Sequence, residues 1–461
     1  MDAKELKEAL QYKNRSAYES ITEDELERSF AYAESYKMFL DNAKTERDAV
    51  KYGIALAERR GFTEYRLGDT LEVGGRYYYN NRGKALFLIK MGTEPLENGV
   101  YIMAAHVDSP RIDLKQNPVY EDSGLGMLKT HYYGGIKKYQ WTTIPLAIHG
   151  VVVRSDGSTV DVCIGEEDED PIFYITDILP HLAKDQMTKT LAEAIPGEGL
   201  NIILGTEPYR DEETDGAIKL NLLRILNEKY DITEEDLITA ELTAVPAYKA
   251  RDIGLDRSLI AGYGHDDKSC AYPEMTATFD SQDERKTVIC VFADKEETGS
   301  EGVSGMQSEI FIDILGEICD SRGANIRVVK ANSKCLSADV NAAFDPNFAG
   351  AYEKANACFA NCGVVISKFT GARGKSGTSD ASSEFAAYVR NILNENGVVW
   401  QMAELGKVDQ GGGGTVAKYI AKENIDTIDI GVPVLSMHAP YEAISKLDLY
   451  MTYKACLAFI S

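Results

Sequence analysis

The sequence predicts an α/β protein in which a β-rich segment interrupts a mainly parallel sheet. Three short apolar runs have the length of buried strands, at residues 100–105, 287–293 and 427–432. Apolar residues at helical spacing, as from Ala381 to Leu393, separate such runs, and this alternation favours parallel strands. We therefore expect a discontinuous α/β domain of residues 1–117 and 253–461, and an inserted β-rich domain of residues 118–252.

The first elements of the chain are predicted from their apolar spacing. Residues 22–60 have a helical pattern, and Thr22 precedes it as a helix cap. Strands are expected at residues 77–79 and 85–89, where aromatic and aliphatic residues cluster. Within the insertion, residues 148–153 have the composition of a strand and lead into a turn.

Composition narrows the class of function. The chain has 461 residues, with 49 Lys and Arg against 73 Asp and Glu, which gives a formal charge of −24. A surface this acidic repels phosphate backbones and anionic lipids, so we expect neither a nucleic-acid partner nor a membrane partner. No apolar run approaches the ~18 residues that a membrane span needs. An apolar fraction of 44% is ordinary for a globular enzyme.

Cysteine usage and the start of the chain point to the cytoplasm. The eight cysteines form no CxxC pair, which favours reduced thiols. Residues 1–16 mix charges from the second residue and show no secretory signal. Cys358 and Cys362 are four residues apart, and we expect them on one buried helix face.

Polar residues follow the predicted strands at the point where each strand ends. His106 closes one apolar run, and Asp108 follows two residues later, where it could accept the second ring proton of the imidazole. An HxD pair alone is equally compatible with a histidine that is merely hydrogen-bonded at a strand end. Glu296 and Glu297 follow a second run, and neighbouring side chains diverge, so one could bind metal while the other acts as general base.

Three further positions complete the pattern, although each is weak when taken singly. Asp266 and Asp267 stand side by side, and one of them could bridge two cations; Asp339 and His438 follow other apolar segments. In chain order, the set supplies five ligands and one base. This is the inventory of a two-zinc hydrolase site, in which the metals lie ~3.5–4 Å apart.

The strings around these residues resemble the M18 metallopeptidases, the aspartyl aminopeptidase family. They span nearly the whole chain, and together they are specific: HVDSPRIDLK at 106–115, YGG at 133–135, GHDDK at 264–268, DKEETGSEG at 294–302, SADVNAAFDPNF at 337–348 and SMHAPYE at 436–442. The resemblance also implies that the glycine-rich segment 411–414, which is otherwise typical of a flexible turn, lines the substrate pocket.

The resemblance implies a role for each residue. His106 and Asp339 would be ligands of one zinc ion, and Glu297 and His438 would be ligands of the other. Asp266 would bridge the two ions. Glu296 would be the general base, and Asp108 would orient His106. The implied reaction is attack of a zinc-bound water on the peptide carbonyl, with the free α-amine of the substrate held by zinc, so that residues leave from the N-terminus. Manganese or cobalt also suit such ligands.

The sequence departs from the family pattern away from the expected metal ligands. Typical members carry histidines where this chain has Ala342 and Asp345, and a charged string where residues 141–145 read WTTIP. Residues 438–442, HAPYE, are closer to the related M42 aminopeptidases. These departures affect groups suited to bind an acidic side chain, so a preference for an acidic N-terminal residue is left open.

The resemblance also implies a homo-oligomer, often a tetrahedral dodecamer, that admits peptides and is assembled through the insertion. His181 aligns with a histidine that family members lend to a neighbouring active site, whereas an ordinary histidine on a helix face fits equally well. Two other functions stay open: a dinuclear-zinc amidase of the same fold, such as a deacylase or carboxypeptidase, and a catalytically silent scaffold. The intact set of expected ligands argues against the scaffold.

Overall fold

The structure is a computed structural model, and it describes residues 2–210 and 215–461. The strands are β1 (Thr63–Glu64), β2 (Arg76–Asn81), β3 (Ala85–Lys90), β4 (Tyr101–His106), β5 (Arg111–Asp122), β6 (Leu125–Tyr133), β7 (Leu146–Val153), β8 (Thr159–Ile164), β9 (Tyr174–Ile175), β10 (Ile202–Gly205), β11 (Glu241–Pro246), β12 (Arg251–Ile253), β13 (Leu259–Gly262), β14 (Val288–Ala293), β15 (Lys334–Ala338), β16 (Asn341–Ala342), β17 (Val364–Ser367), β18 (Trp400–Met402), β19 (Asp426–Gly431), β20 (Pro433–Leu435) and β21 (Glu442–Ser445).

The α-helices are α1 (Ala3–Leu10), α2 (Glu23–Asn42), α3 (Glu46–Arg59), α4 (Leu191–Ala194), α5 (Ala217–Tyr230), α6 (Glu234–Ile238), α7 (His265–Asp280), α8 (Ile310–Arg322), α9 (Ile326–Asn332), α10 (Ser383–Glu395), α11 (Ala417–Ala421) and α12 (Lys446–Ile460). Short 3-10 helices lie at Ala17–Glu19, Leu96–Asn98, Lys138–Trp141, Gln186–Thr188, Gly197–Gly199, Glu296–Thr298, Pro346–Ala351 and Lys354–Asn356.

The predicted helices at the start of the chain are present and capped as expected. The Thr22 hydroxyl accepts a hydrogen bond from the backbone N–H of Glu25, and the Glu25 side chain accepts one from the backbone N–H of Thr22. This reciprocal pair is a capping box, which satisfies backbone donors that the first turn of α2 leaves free.

The largest sheet has nine strands in the order β1-β2-β3-β14-β4-β15-β19-β17-β18. Its four central neighbours, β14, β4, β15 and β19, are parallel. This confirms the α/β class, because the predicted apolar runs are these buried central strands. Alternate side chains of β14 enter two separate cores: Cys290 packs with α7 and α12 on one face, and Ile289 packs with α8 on the other.

A second sheet of seven antiparallel strands has the order β8-β7-β11-β5-β6-β10-β9. Its strands lie between Arg111 and Pro246, whereas the sequence placed the inserted β-rich domain at residues 118–252. The earlier start reflects β5, which continues directly from the polar turn after β4. This sheet has its own apolar core, which includes Ile112, Trp141 and Ile148.

Ion pairs join helix α3 and the segment before it to the second sheet. His149 lies between Asp48 and Glu166, with a distance of 2.9 Å from a ring nitrogen to each carboxylate. Lys44 also contacts Glu166, at 2.7 Å. Arg111 contacts Glu46 at 2.9 Å. The two sheets are therefore fixed to one another by charged contacts that are mostly buried.

A small third sheet, β12-β13-β21-β20-β16, lies at the edge of the large sheet and carries the chain into and out of the central crevice. The pair predicted to share a helix face, Cys358 and Cys362, is not helical. Cys358 forms an isolated bridge with Ala343, and residues 360–363 form an irregular turn, because Gly363 has a positive φ of 80°. None of the helices in the described residues is long and apolar enough to cross a membrane.

Candidate metal centre

The carboxyl ends of three central strands meet at one edge of the large sheet. His106 is the last residue of β4 and pairs in register with Ala293, the last residue of β14. Glu296 and Glu297 therefore follow on the neighbouring strand, and Asp339 follows β15 on the other side. Parallel neighbours bring these polar residues into one crevice, as the sequence predicted.

Asp266 lies between the two histidines of the crevice. Its Oδ1 atom is 3.1 Å from Nε2 of His106, and its Oδ2 atom is 3.1 Å from Nε2 of His438. Burial alone would raise the pKa of Asp266, but these histidine contacts hold that pKa below its usual value. One carboxylate with a different imidazole at each oxygen has the geometry of a bridging ligand.

The remaining carboxylates fit a centre that holds cations. One ligand atom from each of His106, Glu296 and Asp339 lies within 4.8 Å of the others, and the same holds for His106, Asp266 and Glu297. Burial raises the pKa of Asp339 well above its usual value, and nearby carboxylates add to this effect. So many buried carboxylates repel one another unless cations neutralise them.

Glu297 provides the clearest single sign that these residues fit a cation. Its Oε1 atom is buried and has no hydrogen-bond partner, and Nε2 of His438 lies 3.4 Å away. An unpaired buried carboxylate oxygen is costly, because it has lost water without gaining a donor. A divalent cation between Glu297, His438 and Asp266 would satisfy it, and the donor set of imidazole and carboxylate suits zinc.

Asp108 fixes both the first histidine and the turn of the paired glutamates. The ring Nδ1 of His106 donates to the backbone carbonyl of Asp108 at 3.0 Å, closer than the carboxylate at 3.3 Å. The Asp108 carboxylate also accepts the backbone N–H groups of Glu296 and Glu297, at 3.1 and 3.2 Å. Tyr133 adds a hydroxyl donor at 2.7 Å. The ring of His106 therefore presents Nε2 to the crevice.

His438 is held by residues whose role the sequence alone did not identify. Its Nδ1 donates to the carbonyl oxygen of Gly135 at 2.8 Å, so Nε2 faces Asp266. Its backbone has a positive φ of 65°, which is strained for a side chain of this size. The Glu442 carboxylate accepts the backbone N–H groups of His438 at 2.7 Å and Asp266 at 3.1 Å, and so ties the two segments together.

Three of these supporting residues belong to the sequence strings that resemble the M18 family. Tyr133 and Gly135 belong to YGG, and Glu442 ends SMHAPYE. The contacts of Tyr133 with Asp108, Glu442 with Asp266 and Gly135 with His438 span 25, 176 and 303 residues of the chain, so spacing gives no sign of them. Burial, together with the nearby Asp266 carboxylate, raises the pKa of Glu442 to about 8.

A cleft of about 410 Å³ opens above these residues. Its walls include Asp266, Glu296, Glu297, Asp339 and His438, together with the glycine-rich segment from Gly412 to Thr415. Burial raises the pKa of Glu296, which suits a group that takes up and releases a proton. The cleft is large enough for a small part of a peptide rather than a folded protein.

The other histidines take different positions. His265 hydrogen-bonds the Tyr36 hydroxyl at 2.8 Å, and burial lowers its pKa to about 3. His149 belongs to the ion pairs between the sheets. His181 lies in an exposed turn, so the helix-face alternative for it is wrong, because residues 180–185 form turns after Pro180.

Comparison with known families decides the assignment. Residues 39–460 match the family model described as Aminopeptidase I zinc metalloprotease (M18). The chain belongs to the M18 family. It is a metalloaminopeptidase, and therefore a hydrolase, which confirms the family resemblance found in the sequence.

A curated M18 relative extends over the same length. The Probable M18 family aminopeptidase 1 of Clostridium acetobutylicum is 49% identical over 459 residues, which cover 98% of each chain. A solved M18 aminopeptidase from Thermotoga maritima is 42% identical, with a TM-score of 0.93, and the match covers 98% of this chain and 100% of that one. The M18 assignment therefore applies to both sheets.

A more distant structure shares the M18 fold. The mApe1 dodecamer of S. cerevisiae is 22% identical, with a TM-score of 0.75, and the match covers 93% of this chain and 96% of that one. At this identity the comparison shows the fold alone.

Proposed function

We propose that this M18 protein is a dinuclear zinc aminopeptidase that removes N-terminal residues from peptides. The observation that carries the proposal is Asp266, whose two carboxylate oxygens each lie 3.1 Å from a different histidine, His106 or His438. A bridging carboxylate flanked by further ligands is the arrangement of two-metal hydrolases.

The residues divide into two ligand sets. His106 and Asp339 would hold one ion and Glu297 and His438 the other, with Asp266 shared between them. When bound, the two ions would lower the pKa of water and act as Lewis acids toward the scissile carbonyl. The unpartnered Oε1 of Glu297 and the crowding of buried carboxylates support this division.

Glu296 would act as the general base. Its backbone N–H is fixed by Asp108, its side chain lines the cleft, and burial raises its pKa toward neutrality. It would take a proton from the attacking water and return that proton to the leaving amine. The carboxylates along the cleft would also attract the cationic α-amine of a peptide, which favours cleavage from the N-terminus.

A comparison of two peptide sets tests this proposal. The zinc-loaded protein should release residues only from peptides with free amines, and N-acetylated peptides with the same first residues should stay intact. Metal analysis of the active protein should give two ions per chain. Cleavage of the acetylated set would instead favour a deacylase of the same fold, and a varied first residue would show any preference for an acidic one.

The inserted sheet would join copies of this chain into a homo-oligomer such as a tetrahedral dodecamer. Large apolar side chains are exposed along one stretch of it: Ile172, Tyr174, Ile178, Leu179, Leu182, Met187 and Leu191. A contiguous exposed apolar surface marks an interaction site. His181 lies within this stretch, so it could reach a neighbouring copy. The eight free cysteines support a cytoplasmic location.

A further inference from the structure

The active-site cleft continues into a second cavity. Both have volumes of about 410 Å³, and they share the rim residues Thr370, Leu405 and Gly412. The two loops that form the rim pack closely, since a Cβ atom on Gly412 would lie 2.4 Å from the carbonyl oxygen of Gly371. None of the residues proposed to hold zinc lines the second cavity. A group bound there therefore lies away from the scissile bond.

The second cavity is basic in a protein that is strongly acidic. Its walls carry three basic side chains, those of Arg373, Lys375 and Lys407. Among the described residues that line it, Glu404 alone is acidic. Lys375 is paired with Asp380 at 2.8 Å, but Arg373 and Lys407 make no ion pair with the described residues. Two cations beside a substrate cleft thus lack an anionic partner.

A third cation lies on the wall of the active-site cleft. Lys418 lines the active-site cleft beside Gly414, and it is half-buried. Its ammonium group lies 4.7 Å from the ring centre of Tyr419 and makes no ion pair with the described residues. The positive charges therefore run from the cleft into the second cavity.

We propose that the second cavity binds the carboxylate of an acidic side chain that follows the scissile bond in the peptide. This inference rests on the proposed aminopeptidase function and adds a substrate class to it. Arg373 and Lys407 would bind the carboxylate, and Lys418 would attract it along the way. The net charge of −24 repels acidic peptides at a distance, but charges within ~8 Å dominate at physiological salt.

The test uses matched peptides that differ in one charge. With the zinc-loaded full chain, kcat/KM for Leu-Ala-Asp-amide should exceed that for Leu-Ala-Asn-amide by roughly fivefold, the size of a partly exposed ion pair. The ratio should fall toward one in 1 M salt, where the screening length is ~3 Å. It should also fall to one in the double variant Arg373→Gln and Lys407→Gln.

Lys422→Gln is the matched control, because this lysine is exposed, unpaired in the described residues and outside both cavities. It should keep the ratio of the unmodified protein. A ratio of one in the unmodified protein, or a ratio that survives in the double variant, contradicts the inference. So does a charge preference confined to the first residue, measured with Asp-Ala-Ala-amide and Asn-Ala-Ala-amide. If no free-amine peptide is cleaved, the proposed function fails, and this inference fails with it.

Discussion

Glu442 connects the two halves of the candidate centre through main-chain amides rather than through the ligands themselves. Its carboxylate accepts the N–H groups of His438 and Asp266, and it is almost fully buried. Such supporting groups typically contribute 10–100-fold to metal affinity.

Replacing Glu442 should therefore weaken zinc binding. We expect Glu442→Ala to bind zinc ~10–100-fold more weakly, because both ligand-bearing segments lose the acceptor that positions them. Competition with a chromophoric chelator measures the affinity. Glu395→Ala, at the exposed end of α10, is the control and should bind as the unmodified protein does. Equal affinity in the two variants would show that Glu442 does not position the ligands.

Replacing Glu296 should abolish catalysis without releasing the metal. We expect Glu296→Gln to lower kcat/KM by about a thousandfold or more while zinc content stays the same, because the amide cannot accept the proton. Metal analysis and peptide hydrolysis on one preparation check both parts. The exposed Glu301 lies in the same loop, and Glu301→Gln should retain activity. Normal turnover by the Glu296 variant would show that Glu296 is not the general base.

The meeting of the candidate site residues in one crevice was predictable in part, because several of them lie at or after the ends of buried strands. His106, Glu297 and Asp339 come directly after apolar runs, and parallel strands end at one edge. Contacts between loops were not predictable, because Gly135 and His438 are 303 residues apart. The Asp108 carboxylate lies 3.3 Å from the His106 ring, and its contacts with the backbone of Glu296 and Glu297 add a role that spacing did not predict.

At the scale of elements, the apolar pattern also predicted the central strands and the helices of residues 22–60. The start of the second sheet was less predictable, because β5 begins in a charged stretch at Arg111. Its ion pair with Glu46 on α3 offsets the burial of that charge. Sequence patterns report burial of apolar residues, and they say little about charged groups buried as pairs.

The junction between α3 and the second sheet should make stability depend on pH. Burial alone would lower the pKa of His149, but Asp48 and Glu166 outweigh it and raise the pKa to about 11. A histidine whose pKa is higher in the folded state than in the unfolded chain stabilises the folded state. This stabilisation is complete below the unfolded-state pKa of ~6.5, and it is lost as the pH rises toward 11.

We therefore expect His149→Gln to melt well below the unmodified protein at pH 6.5, with a gap that narrows progressively toward pH 10. At pH 6.5 the loss should be about 3 kcal/mol, since the buried Glu166 carboxylate and the partly exposed Asp48 carboxylate lose their cation. Melting curves at several pH values measure the gap. The exposed His131 gives the control His131→Gln, which should show no such trend. A gap that is constant with pH would mean that His149 is neutral.

At the scale of the whole molecule, the exposed apolar stretch of the insertion should hold an assembly together. We expect Leu182→Asp to give smaller particles than the unmodified protein, because Leu182 is 67% exposed within that stretch and a charge there opposes its burial. Sedimentation velocity measures the size. Leu255→Asp is the control, since that leucine is fully exposed in a turn outside the insertion. An unchanged size for Leu182→Asp would place the interface elsewhere.

The contact between Gly135 and His438 bears on how this enzyme can be redesigned. A shortened chain that joined residue 110 to residue 247 would keep every proposed ligand and the base in its sequence. It would nevertheless lose the carbonyl that orients His438 and the Tyr133 hydroxyl that supports Asp108. A chimaera of this enzyme and a homologue must therefore take the insertion and the crevice it contacts from the same parent. A minimal enzyme without the insertion has to supply both contacts from other residues.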